Sequence, residues 1–160
     1  MLISRLRPFF FLADFPQMCY SGGMGHVNTK ITLKNIKDKF KAEVGIIQKT
    51  EIRQATVDVM VDTGASMLVI NKELFQQLGL DAAEEREITL ANDAKQKCKL
   101  TEPLEIHWEN RSISMPALVI EDASEFLLGV IPLEGMDLMV DTVNHRLIGA
   151  HGDQPVYRAK

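Results

Sequence analysis

The chain has 160 residues, 46% apolar and 25% charged, with 18 Lys and Arg against 22 Asp and Glu for a formal net charge of −4. These values fit a single soluble globular domain, and the lack of a basic block or of basic–aromatic interleaving removes support for nucleic-acid binding. Only Cys19 and Cys98 are present, and His26, His107, His145 and His151 are scattered without ligand spacing. No disulfide framework, metal site or cofactor is expected, and a reducing compartment, the cytoplasm, is the default.

Arg5 and Arg7 precede an apolar run, Pro8 to Ala13, which Asp14 ends. About six residues fall short of the roughly 7–15 of a signal-peptide core and of the roughly 20 that span a bilayer. No membrane association is expected. Residues 1–23 read as upstream sequence or a disordered tail before an initiator at Met24, with export as the alternative. The domain is expected over 24–150, and residues 151–160 as a C-terminal tail.

From Asn28 the pattern is that of strands. Thr29 to Leu33 alternates polar and apolar residues, Asn35 to Asp38 reads as a turn, and Phe40 to Ile46 alternates again as a hairpin's return arm. Lys49 to Gln54 is a polar connection. Val57, Val59 and Val61 then alternate with Asp58 and Met60, a strand with two different faces. It runs into Asp62-Thr63-Gly64-Ala65-Ser66, and a second apolar run, Met67 to Ile70, leaves that turn. A carboxylate between two buried strands is costly to desolvate unless polar groups surround it. Thr63 and Ser66 supply hydroxyls, and Gly64 permits a tight turn with close backbone approach.

A short helix follows, with Asn71 as N-cap, Glu73 in the first turn, Leu74, Phe75 and Leu78 on one face and Gly79 as the stop. Glu87 to Leu90 and Lys95 to Leu100 flank Ala91-Asn92-Asp93-Ala94, a hairpin with turn-favouring residues at its tip. Pro103 to Trp108 and Ile113 to Ile120 form another hairpin, with Trp108 expected in packing. Phe126-Leu127-Leu128-Gly129 comes next. Ile131 to Gly135 suits a helical turn, and Met136 to Asp141 and His145 to Gly149 read as closing strands. Asp141-Thr142 lacks a following glycine and does not repeat the acid turn.

Val61-Asp62-Thr63-Gly64-Ala65-Ser66 resembles the active-site turn of retropepsin-like (clan AA) aspartic proteases, of the bacterial-type single-domain kind. Leu127-Leu128-Gly129, about sixty residues later, resembles the hydrophobic–hydrophobic–Gly element that passes behind that turn, where only glycine fits a close backbone crossing. The likeness covers roughly residues 55–149. With many short strands and short loops it implies an all-β fold, a small closed β-barrel with one or two short helices. It also implies that Asp62 is catalytic, that Thr63, Gly64, Ala65 and Ser66 support it, and that Ala91 to Ala94 tip a flap over the substrate. Retroviral flap tips are rich in glycine and this one is not. One acid turn per chain implies a homodimer acting on a peptide or protein. The alternative is a retropepsin-fold dimerisation or peptide-binding module without catalysis.

Overall fold

The computed structural model describes residues 26–89 and 95–156. Eleven strands and three helices occur among them. Strand β1 (Val27–Lys34) leads to helix α1 (Ile36–Glu43), a short 3-10 turn (Lys49–Glu51) and strand β2 (Gln54–Val61). Then come β3 (Leu68–Ile70), α2 (Lys72–Gln77), β4 (Ala82–Thr89), β5 (Lys95–Thr101), β6 (Leu104–Trp108), β7 (Arg111–Met115) and β8 (Ala117–Val119). The chain continues through β9 (Leu127–Leu128), α3 (Val130–Gly135), β10 (Leu138–Asp141) and β11 (Arg146–Gly149).

Nine strands form one mixed sheet in the order β4–β5–β8–β3–β9–β2–β1–β6–β7, and β10 and β11 make a separate antiparallel pair. The fold is therefore mostly β, as the alternating segments imply. Closure into a barrel is not seen: among the described residues no pairing joins β4 to β7.

The order of the central strands positions the acid turn. β9 lies between β2 and β3, parallel to β2 (Met60 opposite Leu127, Val61 opposite Leu128) and antiparallel to β3 (Val69 opposite Leu127). The connection from β2 to β3 must therefore cross over the end of β9. Ile31, Leu33, Val59, Leu68, Ile70, Leu104, Ile106 and Leu128 form the buried core beneath. Each takes every second position of its strand, or a fully buried run in the case of Leu68 to Ile70.

Two expectations change in the first third of the domain. Phe40 to Ile46 is not a return strand: residues 36–43 are helical, and β2 itself is the return arm, paired with β1 from Val27 opposite Val61 to Lys34 opposite Gln54. The reason is capping. Asn35 Oδ1 accepts the Asp38 N–H at 3.1 Å, its amide donates to the Leu78 and Gly79 carbonyls, and Asp38 holds the Arg53 guanidinium through two bonds. Asn35 to Asp38 is thus a helix start, and the period-2 alternation beyond it leaves Phe40, Val44 and Ile46 exposed. Pro116 also splits the second hairpin. β7 pairs with β6, whereas β8 joins β3 and β5.

α2 forms as expected: Asn71 Oδ1 accepts from Leu74 N–H at 2.9 Å, and Gly79 follows at φ +55°. Trp108 is buried, with its indole N–H donated to Thr29 Oγ1. Residues 151–156, expected from the sequence to lie in a C-terminal tail, follow Ala150 and are tied to the domain. Ala150 N–H reaches Asp137 O at 2.8 Å, His151 Nδ1 meets Asp137 Oδ1, Val156 N–H reaches Asp137 Oδ2 at 3.1 Å, and Arg111 donates to Gly152 O. Residues 1–25 and 157–160 lie outside the described residues, and with them the expectations for the N-terminal segment.

Candidate active site

Asp62 is the first residue beyond β2. Its N–H donates to Leu128 O at 3.1 Å, which extends the β2–β9 ladder by one rung. The chain then turns tightly, Ala65 N–H returning to Asp62 O at 3.1 Å. The Asp62 side chain is half-buried, and its Oδ1 accepts the Gly64 N–H at 2.8 Å. A Cβ on Gly64 would stand 3.1 Å from that same oxygen. Glycine is suited to the position by close approach to the acid, and its backbone has no left-handed φ.

The Leu127–Gly129 segment locks the turn from behind. A Cβ on Gly129 would lie 2.5 Å from Met67 N and 2.6 Å from both Ala65 O and Met67 O, all backbone atoms. No rotamer change relieves such a clash. Directly after Gly129, the Val130 N–H donates to Ala65 O at 2.8 Å and the Ile131 N–H to Ser66 O at 3.0 Å. These are N–H groups at the start of α3, which have no intrahelical acceptor, so helix and turn satisfy each other. The acid is held between two strands and one helix start by backbone bonds alone.

The turn opens on a cleft of about 730 Å³. Asp62, Gly64, Ala65 and Ser66 form its floor, while Met67, Val69, Leu118, Ile120 and Leu127 give apolar walls and Ile88 and Thr89 reach it from β4. A mostly apolar trough with one carboxylate at its base is suited to an extended chain with apolar side chains.

Of the residues singled out from the sequence, Asp62, Gly64, Ala65, Ser66 and Leu127 line this cleft, and Gly129 packs directly behind it. Leu128 is fully buried in the core, and Thr63 is exposed. Ser66 makes no hydrogen bond to Asp62 among the described residues. Ala91, Asn92, Asp93 and Ala94 lie outside the described residues, although the arms of their hairpin, β4 and β5, are strands as expected. Sequence reading did not single out Ile88, Thr89, Leu118 and Ile120 as cleft residues. The period-2 alternation of their strands gives which residues share a face, but the pairing that turns one face to the acid is non-local.

The other aspartates considered have structural surroundings. Asp58 is exposed on β2 beside Lys30 at 3.2 Å. Asp141 closes the β10–β11 turn, accepting from the backbone of Val143 and Asn144 and from the Asn144 amide. Among the described residues no group of three or more His, Cys, Asp or Glu side chains could hold a metal ion. No described helix is long and apolar enough to cross a membrane.

Among solved structures, the chain is similar to the EIAV protease complexed with the inhibitor HBY-793, at 17% identity over 72% of this chain and 90% of that one, with a TM-score of 0.47. It is also similar to the retroviral protease-like domain of Ddi1 from Leishmania major, at 20% identity over 63% of this chain and 84% of that one, with a TM-score of 0.48. Comparison with curated proteins finds no match. The family described as "gag-polyprotein putative aspartyl protease" matches residues 48–134, more than half of the sequence and a span that holds both the acid turn and the Leu127–Gly129 segment. The chain belongs to this family of retropepsin-like aspartic proteases.

Proposed function

We propose that the protein is an aspartic endopeptidase whose active site forms where two copies of the chain meet, each supplying Asp62. The observation that carries this reading is a single acid turn, cross-braced by Leu127–Gly129 and opening on an apolar cleft. Peptide hydrolysis at such a site needs one carboxylate to take a proton from water and another to donate one to the scissile carbonyl oxygen. Two acids about 3 Å apart cannot both ionise, so one proton is shared and the pair titrates as a unit. Water then adds to the carbonyl carbon. Its proton passes to the charged carboxylate while the protonated one gives its own to the oxygen. When the resulting gem-diol collapses, the C–N bond breaks and the leaving nitrogen takes the proton gained from water. One gem-diol hydroxyl gives its proton to the carboxylate that had lost one, which re-forms the carbonyl and restores the dyad.

In this reading the Gly64 N–H, at 2.8 Å from Asp62 Oδ1, holds one oxygen in the plane of the dyad. The exposed Thr63 braces the two turns across the two-fold axis, and Ser66 comes into hydrogen-bond reach of Asp62 when the second turn is in place. The hairpin carrying Ala91 to Ala94 covers the substrate. The two widely separated cysteines agree with work in the cytoplasm.

Digestion of a peptide library by the parent protein, with Asp62→Asn as control, tests the proposal. Cleavage by the parent alone supports it. Cleavage by both proteins refutes the role of Asp62, and cleavage by neither favours a binding module built on the same fold.

A further inference from the structure

We propose that the outward face of α1, with the loop that follows it, docks the chain on an anionic lipid surface. This does not depend on the two-chain site.

α1 is turned inside out. Its contacts with the domain are polar. Asn35 and Asp38 are buried, the first donating to the Leu78 and Gly79 carbonyls and the second bonded to the Arg53 guanidinium at 2.6 and 2.8 Å. Lys39 Nζ reaches the buried Glu105 at 2.7 Å. The apolar side chains lie outside: Phe40 is 58% exposed, and Val44 and Ile46 are each 71% exposed. Phe40 and Val44 are four residues apart and share one helical face. Gly45 turns the chain between Val44 and Ile46 at φ +77°, and a Cβ built there would meet nothing within 4 Å. The three side chains therefore crown a projecting tip. Single exposed apolar residues are ordinary, but a helix of this kind buries its apolar face, and here that face is left to a partner.

Charge names the partner. From Lys34 to Arg53 there are six Lys and Arg against three Asp and Glu, whereas the rest of the chain has 12 against 19. Lys37 is held by Asp81 and Glu102, Lys39 by Glu105 and Arg53 by Asp38. Lys34, Lys41 and Lys49 have no ion-pair partner among the described residues. Of the acids set against them, Glu51 is turned to the Gln48 N–H at 2.6 Å, which leaves Glu43. Lys34, Lys39 and Lys49 line a recess of about 290 Å³ between α1, the 3-10 turn and β6, with Glu43, Glu105 and His107. A lipid phosphate fits beside the two free ammonium groups there, while Phe40, Val44 and Ile46 enter the acyl boundary alongside. A protein would need a groove shaped to the tip. A bilayer interface takes up apolar side chains and attracts cations without one.

The expectation of no membrane association came from the length of the Pro8–Ala13 run. This surface is made by folding, from apolar residues interleaved with lysines, and it lies on a bilayer without crossing it. The tip follows the Lys34 end of the β1–β2 ladder and the acid turn follows the Val61 end, roughly 23 Å away at about 3.3 Å per residue. A docked chain keeps its cleft open.

The test is flotation of the full chain with vesicles of phosphatidylcholine alone or mixed with phosphatidylglycerol, at low and high salt. The parent is compared with Phe40→Gln plus Ile46→Gln, with Lys41→Gln plus Lys49→Gln, and with Val143→Gln, an exposed apolar control on the β10–β11 turn. The parent is expected to float with the anionic vesicles only, and less as salt rises. Each double variant is expected to bind them roughly tenfold more weakly or worse, and Val143→Gln to float as the parent. Circular dichroism verifies the fold, and if one double variant fails to fold the other decides. Excess free glycerol phosphate should release little of the bound protein; full release would show a site for the free anion and overturn lipid docking. A parent left behind by anionic vesicles overturns the proposal and leaves the face to a protein partner. Folded double variants that float like the parent overturn it as well, and place the binding elsewhere in the chain. Cleavage is not read, so the result stands apart from that for the two-chain site.

Discussion

Asp62 and Asp137 each follow an apolar segment, yet the chain treats their carboxylates differently. Asp137 is buried and accepts from the Arg111 guanidinium at 3.0 Å, from His151 and from the Val156 N–H at 3.1 Å. The same Arg111, itself almost wholly buried, also donates to the Met136 and Asp137 carbonyls. Asp62 accepts from the Gly64 N–H through Oδ1 and lines a cleft. A carboxylate that joins segments is surrounded by donors until little of its capacity is left. One held by backbone bonds to its own turn keeps an oxygen free for water or a second acid. The difference lies in which atoms hold each carboxylate in place: the Arg111 and His151 side chains with the Val156 N–H for Asp137, the Gly64 N–H for Asp62.

If main-chain packing holds the acid turn, Gly129→Val should have the largest effect on stability. Its new Cβ and methyls meet backbone atoms that cannot move separately from the turn, and a loss of about 3 kcal/mol or more is expected. Denaturant unfolding checks this, and a midpoint equal to that of the parent would show that the crossing is looser than described.

Arg111→Met comes next. It strips the guanidinium from the buried Asp137 and unties Gly152, so the thermal midpoint should fall well below that of Asp62→Asn. Cleavage per folded dimer should stay close to the parent value. Greater destabilisation by Asp62→Asn would reverse the assignment of structural and chemical roles.

Acid pH sharpens the contrast further. His151 first, then the Val156 N–H and the Arg111 guanidinium, hold the Asp137 carboxyl down to about 2, against an ordinary 3.8. A lowered folded-state value means that the native state favours the ionised form. The stability it contributes is complete above the ordinary value and is lost as pH falls from about 3.8 through about 2. Comparing Asp137→Asn with the parent by thermal unfolding should show a gap at neutral pH that closes over that window. A gap unchanged down to pH 2 would contradict it.

The smallest effect belongs to Asp58→Asn. Its partner Lys30 stands 3.2 Å away with both side chains more than two-thirds exposed, so the change should be under about 1 kcal/mol, with cleavage unaltered.

The acid turn, α2 and the Leu127–Gly129 segment were legible in the sequence because each depends on local chemistry: a hydroxyl-flanked acid, an Asn N-cap, a glycine at a backbone crossing. α1 was not. Phe40, Ala42, Val44 and Ile46 alternate like a strand, and only the capping by Asn35 and the hold of Arg53 on Asp38 make the segment helical. The anchorage of residues 151–156 was equally hidden, since Arg111, Asp137 and His151 are far apart in the chain and no local pattern joins them. The cleft walls at Ile88, Leu118 and Ile120 depend on which strands become neighbours, and strand alternation does not encode that order. Closure of the sheet into the expected barrel, not seen among the described residues, is likewise a matter of non-local pairing.

Subunit poisoning tests the central claim most directly. Parent protein is held at a fixed concentration at which it is dimeric and cleaves peptide, and Asp62→Asn protein is added in increasing excess with time for exchange. If each active site needs an Asp62 from both chains, heterodimers are inactive and the rate falls towards zero as they replace parent dimers. A rate that stays constant at every excess, with exchange verified by a labelled chain, would contradict the shared site.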